Sequence, residues 1–162
     1  MSSIDMDQYV GSAIRYITDH ADEGTAVYFG DVPENFRVPS LYFPASRTVM
    51  RKTGLGGVFT STIHFECSFY GTDSWTAHAA AERVVNAMRK DRCIIPCIEE
   101  DGTESGYSIH TSMPEIDVTG KGEVQMRFDI DHMVEESRKN GPVITQVNTT
   151  TASKGGQSND RE

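Results

Sequence analysis

The side chains best equipped for chemistry are Cys93 and Cys97, which flank Ile94-Ile95-Pro96, and three histidines, His64, His110 and His132, that fall in strand-like stretches. Cysteines with a histidine or two hold zinc when they sit in a tight knuckle and a second ligand pair lies elsewhere. Here the intervening residues read as strand and no second pair exists, so Cys93 and Cys97 read as buried structural thiols. Cys67 lies on an apolar strand face and reads the same way. His64 and His132 fall on the polar phases of their strands, which predicts exposed histidines rather than a convergent site. Trp75-Thr76-Ala77-His78 puts a histidine near a hydroxyl, but a nucleophilic triad needs a nucleophile on a strained turn and a positioned acid, and nothing marks either. Gly54-Leu55-Gly56-Gly57 looks like a phosphate loop, yet lacks the following Lys-Ser/Thr and leads into a strand; a hairpin turn is the better reading. Glu99-Glu100-Asp101-Gly102 with Glu104 misses the spacing of a calcium loop. The sequence therefore predicts no catalytic residues, no metal site and no cofactor, and the protein is not expected to be an enzyme.

Composition narrows the class further. The 162 residues are 37% hydrophobic and 24% charged, as befits one globular domain with a real core. No run of about 18 apolar residues occurs, so no membrane helix is expected. The first residues lack the basic and apolar regions of a secretion signal, and three cysteines make no disulfide scaffold; a reducing cytoplasm is the expected site of folding. The net charge of -9 argues against gripping nucleic acid, because phosphate backbones reward clustered Lys and Arg. The balance is uneven. Arg138, Lys139, Lys154 and Arg161 outweigh Asp160 and Glu162 in residues 137–162, leaving a more acidic body ahead of a weakly basic tail.

The elements that must position these residues follow from periodicity. Met6, Tyr9, Val10, Ala13, Ile14, Ile17 and Ala21 share one helical face, with Asp5 and Asp7 in the first turn. Short strands at Val27-Tyr28-Phe29 and Ser40-Leu41-Tyr42-Phe43 are stopped by Pro33 and Pro44. Residues 47–52 and 58–70 read as a protruding β-hairpin about the glycine-rich turn. Along its second strand, Phe59, Ile63, Phe65, Cys67 and Phe69 alternate with Thr60, Thr62, His64, Glu66 and Ser68. Thr72 or Asp73 caps a second helix whose apolar side runs through Trp75, Ala77, Ala80, Ala81, Val84, Val85 and Met88, with Arg89, Lys90 and Arg92 complementing the dipole at its end. A short strand at 94–98 follows. Residues 107–118, broken at Pro114, and 123–133 read as a second hairpin; in the latter Val124, Met126, Phe128 and Ile130 alternate with Gln125, Arg127, Asp129 and Asp131. The fold expected is α+β: a mixed, mainly antiparallel sheet with two main helices packed on it, forming one domain over residues 1–136. Residues 137–162 read as a polar tail, or as an arm that adds Val143, Ile144 and Val147 to a neighbour's sheet.

With its order of helix, short strand, hairpin, helix and strands (α-β-β-β-α-β-β-β), the chain resembles the tail terminator proteins of long-tailed bacteriophages. The resemblance is carried by Val27-Tyr28-Phe29-Gly30-Asp31-Val32-Pro33, by Phe36-Arg37-Val38-Pro39-Ser40-Leu41-Tyr42-Phe43, by the strand-to-helix unit of residues 59–88 and by the closing strand of residues 124–130. It covers about residues 4–135 and is one of order and spacing. It implies a virion structural protein, assembled in the host cytoplasm, that caps the head-proximal end of the tail tube as a homohexameric ring. Its implied partners are further copies of itself, the tail tube protein, the head-completion or connector protein and, in a contractile tail, the sheath. DNA would pass through the lumen without specific binding, and no membrane is involved. The hairpin's Arg47, Arg51, Lys52 and Leu55 are the expected oligomer interface, since three cations on an acidic body suit a neighbour's acidic surface. The competing expectations are another phage head-tail joining or minor structural protein, and a small cytoplasmic α+β enzyme or ligand-binding domain. A concave site bringing titratable groups together would favour the latter.

Overall fold

A computed structural model describes residues 6–53 and 57–135. Two helices and eight strands follow one another as α1 (Met6–His20), β1 (Ala26–Phe29), β2 (Ser40–Phe43), β3 (Arg47–Lys52), β4 (Val58–Tyr70), α2 (Ser74–Lys90), β5 (Ile94–Ile98), β6 (Glu104–His110), β7 (Glu115–Gly120) and β8 (Glu123–Glu135). The α+β expectation holds, with four strands on either side of α2 rather than three. Six strands form one mixed sheet in the order β1-β2-β4-β8-β7, with β3 also on β4. Only β1 and β2 run parallel; the remaining pairs of this sheet are antiparallel.

The spine is β4 against β8, paired from Val58↔Glu135 to Tyr70↔Glu123. Alternation in both strands sends Ile63, Phe65, Cys67 and Phe69 to the same side as Val124, Met126, Phe128 and Ile130, and all eight are buried. Both helices pack on that side. Phe65 stacks on Phe128 with centroids 4.9 Å apart and meets Phe43 at 6.0 Å. From α2 come Ala77, Ala81, Val84 and Met88, a stripe at spacings of three and four whose small residues let the helix approach the sheet. Trp75 stands off that stripe, 85% exposed, although its apolar character placed it on the packed side in the sequence. It lies two residues before Ala77, about 200° around the helix at 3.6 residues per turn.

Asp73 is the cap of α2: its Oδ1 accepts the Thr76 amide at 2.7 Å, which holds its carboxyl below the ordinary value. Just before it, the start of α2 meets the β7–β8 turn. The Gly71 amide donates to the Gly122 carbonyl at 2.9 Å, and a Cβ on Gly122 would lie 2.6 Å from the Gly71 oxygen.

One sequence expectation fails here. Residues 107–118 are not one interrupted strand. The pairing of β6 ends at His110, and the chain has crossed to the large sheet by Thr111, which bridges Ile130 of β8: β6 joins β5 in a separate two-stranded sheet, while β7 joins β8. The hairpins of residues 47–70 and 115–135 do form. Residues 137–162, and with them the expected tail or arm, lie outside the described residues.

Candidate assembly surface

The side of the sheet away from the helices carries the charged alternates of β3, β4, β7 and β8. Register places them in rows. Arg47, His64 and Asp129 stand abreast on β3, β4 and β8; Glu66, Arg127 and Glu115 on β4, β8 and β7; then Ser68, Gln125 and Asp117. Cross-strand contacts tie the rows together. His64 Nδ1 lies 2.6 Å from Asp129 Oδ1, Gln125 Nε2 donates to Glu66 Oε2 at 3.3 Å, and Arg127 pairs with Asp117. These side chains are about half exposed, so their ion pairs add little to stability. Carboxylates outnumber cations: Glu66, Glu115, Asp117, Asp129 and Asp131 face Arg47, Arg51 and Arg127.

A cleft of about 540 Å³ opens on this face, with Arg47, His64, Glu66, Arg127 and Asp129 among its lining residues. It does bring titratable groups together, in the form a small enzyme would need. The chemistry stops short of a triad, however. The nearby hydroxyl of Ser112 accepts the Asp129 amide at 2.8 Å, and among the described residues no hydroxyl or thiol is bonded to His64.

The other candidates separate. Cys67, Cys93 and Cys97 are free and buried, as expected. Among the described residues no cluster of three or more His, Cys, Asp or Glu has metal-binding geometry. His110 is exposed on β6 and pairs with Ile94 across the small sheet, away from the rows above. His132 corrects the expectation of a polar setting. It shares the parity of Val124 and Ile130, so it points to the helix side, where it stacks on Tyr9 with centroids 4.5 Å apart. Its Nδ1 is buried with no hydrogen-bond partner among the described residues, and burial pushes its pKa down, against the pull of Asp131. The signal was present: the period-2 pattern of β8 already assigns even-numbered positions to the core side.

The expected interface residues lie where the hairpin requires. Arg47, Arg51 and Lys52 are exposed on β3, and among the described residues none of them joins an ion pair. Leu55 lies outside the described residues. Arg47 and Arg51 share the charged face with His64 and Thr60, whereas Lys52 and Met50 point to the helix side. What sequence reasoning missed is the opposite edge. β7 pairs only with β8 among the described strands, and shows Glu115 and Asp117 on the charged face and Val118 on the helix side. Only tertiary pairing reveals that edge.

Fold and surface together define a small helix-backed α+β domain whose sheet, among the described strands, ends at β1, β3 and β7 and carries one charged face. No family model matches the chain. It is 34% identical over 116 residues to the protein YqbJ of Bacillus subtilis (strain 168), covering 70% of this chain and 77% of YqbJ. It is also 29% identical over 121 residues to XkdJ, a protein of the phage-like element PBSX in the same strain, covering 75% of this chain and 81% of XkdJ. The chain belongs to the family of YqbJ, with XkdJ as a further relative from a phage-like element.

Proposed function

We propose that the protein is a phage virion subunit that closes the head-proximal end of the tail tube as a ring of six copies. Kinship with XkdJ, a phage-like element protein, carries the reading. The surface supports the ring. A basic hairpin strand on a chain of net charge -9 is self-complementary, and a subunit with two different exposed edges can join head to tail and close by rotation. The tube protein would be met on one side of the ring and the head-completion or connector protein on the other, with the sheath as a further neighbour in a contractile tail. Its place is the neck of the virion.

The acidic, helix-free face is the surface suited to the lumen. DNA passing a wall rich in Glu66, Asp117, Asp129 and Asp131 releases no counterions by binding it, so it slides without sticking. The test is light scattering of the purified protein across concentration, alone and with purified tail tubes, followed by imaging of the large species. Rings with the mass of six 17.9 kDa chains, free or seated on tubes, are the expected result. A stable dimer that ignores tubes would overturn the reading.

A further inference from the structure

The hairpin edge and the missed edge match each other face by face. On the charged face β3 offers Arg47 and Arg51, and β7 offers Glu115 and Asp117. On the helix side β3 offers Met50, 58% exposed, and β7 offers Val118, 60% exposed. Among the described strands β3 pairs only with β4 and β7 only with β8, so each has one side to which no described strand is bonded. Directions match too. β3 and β8 run antiparallel to β4, and β7 antiparallel to β8, so β3 and β7 point oppositely. Copies related by rotation about a ring axis would therefore meet as an antiparallel pair, and with Met50 opposite Val118 on the helix side, Arg51 stands opposite Asp117 on the charged face.

We propose that β3 of one copy adds to β7 of the next, continuing the antiparallel sheet from subunit to subunit. The partner is a second copy of this chain, and to that extent the inference rests on the ring reading. The geometry of closure is reasonable. β3 lies beside residues 59–64 of β4, whereas β7 lies beside the part of β8 that faces residues 66–70 of β4. Each copy thus steps about six residues along the strands, roughly 20 Å, while crossing four strands about 4.8 Å apart. That is a tilt of about 45°, at the upper end of the range in closed barrels. The competing edge, β1, carries Ala26, Val27, Tyr28 and Phe29, offers no charge to Glu115 and Asp117, and is partly buried at three of its four positions.

Two experiments on the full chain test the pairing. Met50→Cys and Val118→Cys are introduced singly and together, then treated with a short bis-maleimide; the native thiols are buried and serve as the silent background. Expected is a denaturant-resistant ladder of multimers from the double variant alone. Bands from Met50→Cys alone would mean that two β3 edges meet, and a ladder from Phe29→Cys with Val118→Cys would assign the contact to β1; either overturns the proposal. In the second experiment, Arg47→Glu/Arg51→Glu and Glu115→Arg/Asp117→Arg are each expected to stay at the mass of one chain. Mixed in equal amounts, they should assemble as alternating copies. A six-chain ring without the ladder would remove the edge pairing and leave the ring reading standing. A ladder whose rings ignore tail tubes would keep the pairing and remove the tail-end function. No association under any condition would overturn the pairing.

Discussion

The two faces of the β4–β8 pair are built from the same strands and serve opposite ends. On one face Ile63, Phe65, Cys67 and Phe69 mesh with Val124, Met126, Phe128 and Ile130 beneath two helices, all eight buried. On the other, His64, Glu66, Arg127 and Asp129 stay half in water, where their attractions are screened. The difference teaches where each function resides. Folding free energy is concentrated on the helix side, because apolar burial there removes whole side chains from water. On the proposed reading, recognition falls to the charged face and the outer strands, whose exposed residues can change at little cost in stability.

Substitutions on the two faces should therefore separate stability from assembly. The largest loss is expected for Phe65→Ala, which removes a ring stacked on Phe128 and in contact with Phe43; a cost of about 3–5 kcal/mol should appear in denaturant unfolding. Gly122→Ala comes next. Its φ is 70° and its Cβ would press on the Gly71 oxygen, so a loss of more than about 1 kcal/mol is expected, with α2 and the β7–β8 turn disturbed together. His132 supplies a pH-dependent sign. Its folded pKa lies below its ordinary value, so the unfolded chain binds the proton more readily. Its part of the stability is whole above about pH 6.5 and declines as the pH falls toward the folded pKa. His132→Phe should flatten that decline in thermal melts measured from pH 7.5 to 5. On the charged face Asp129→Asn should cost under about 1 kcal/mol, because the His64–Asp129 pair is exposed. Arg47→Glu with Arg51→Glu should shift unfolding by about 0.5 kcal/mol or less in all, yet abolish association. A large melting loss in that last variant, or none for Phe65→Ala, would break the division between the faces.

The same division explains what could be read from the chain. Period-2 alternation in residues 58–70 and 123–133 is dictated by burial of one face, so both long strands and their inward residues were legible. So was α2, whose cap at Asp73 and stripe from Ala77 to Met88 are local signals. Pairings were not. Nothing local says that β1 lies parallel to β2, or that the strands before and after Pro114 belong to different sheets. The basic half of the proposed interface was legible because Arg47, Arg51 and Lys52 cluster in one short strand. Its acidic half was not, since Glu115 and Asp117 matter only once β7 is known to be an edge.

The most direct measurement is to add the purified, gold-labelled protein to phage tail tubes and image where it binds. The account predicts label confined to one end of each tube, in ring-shaped caps, with Arg47→Glu/Arg51→Glu leaving the ends bare. Label scattered along the tubes, or none on them while the protein remains a stable dimer, would contradict it.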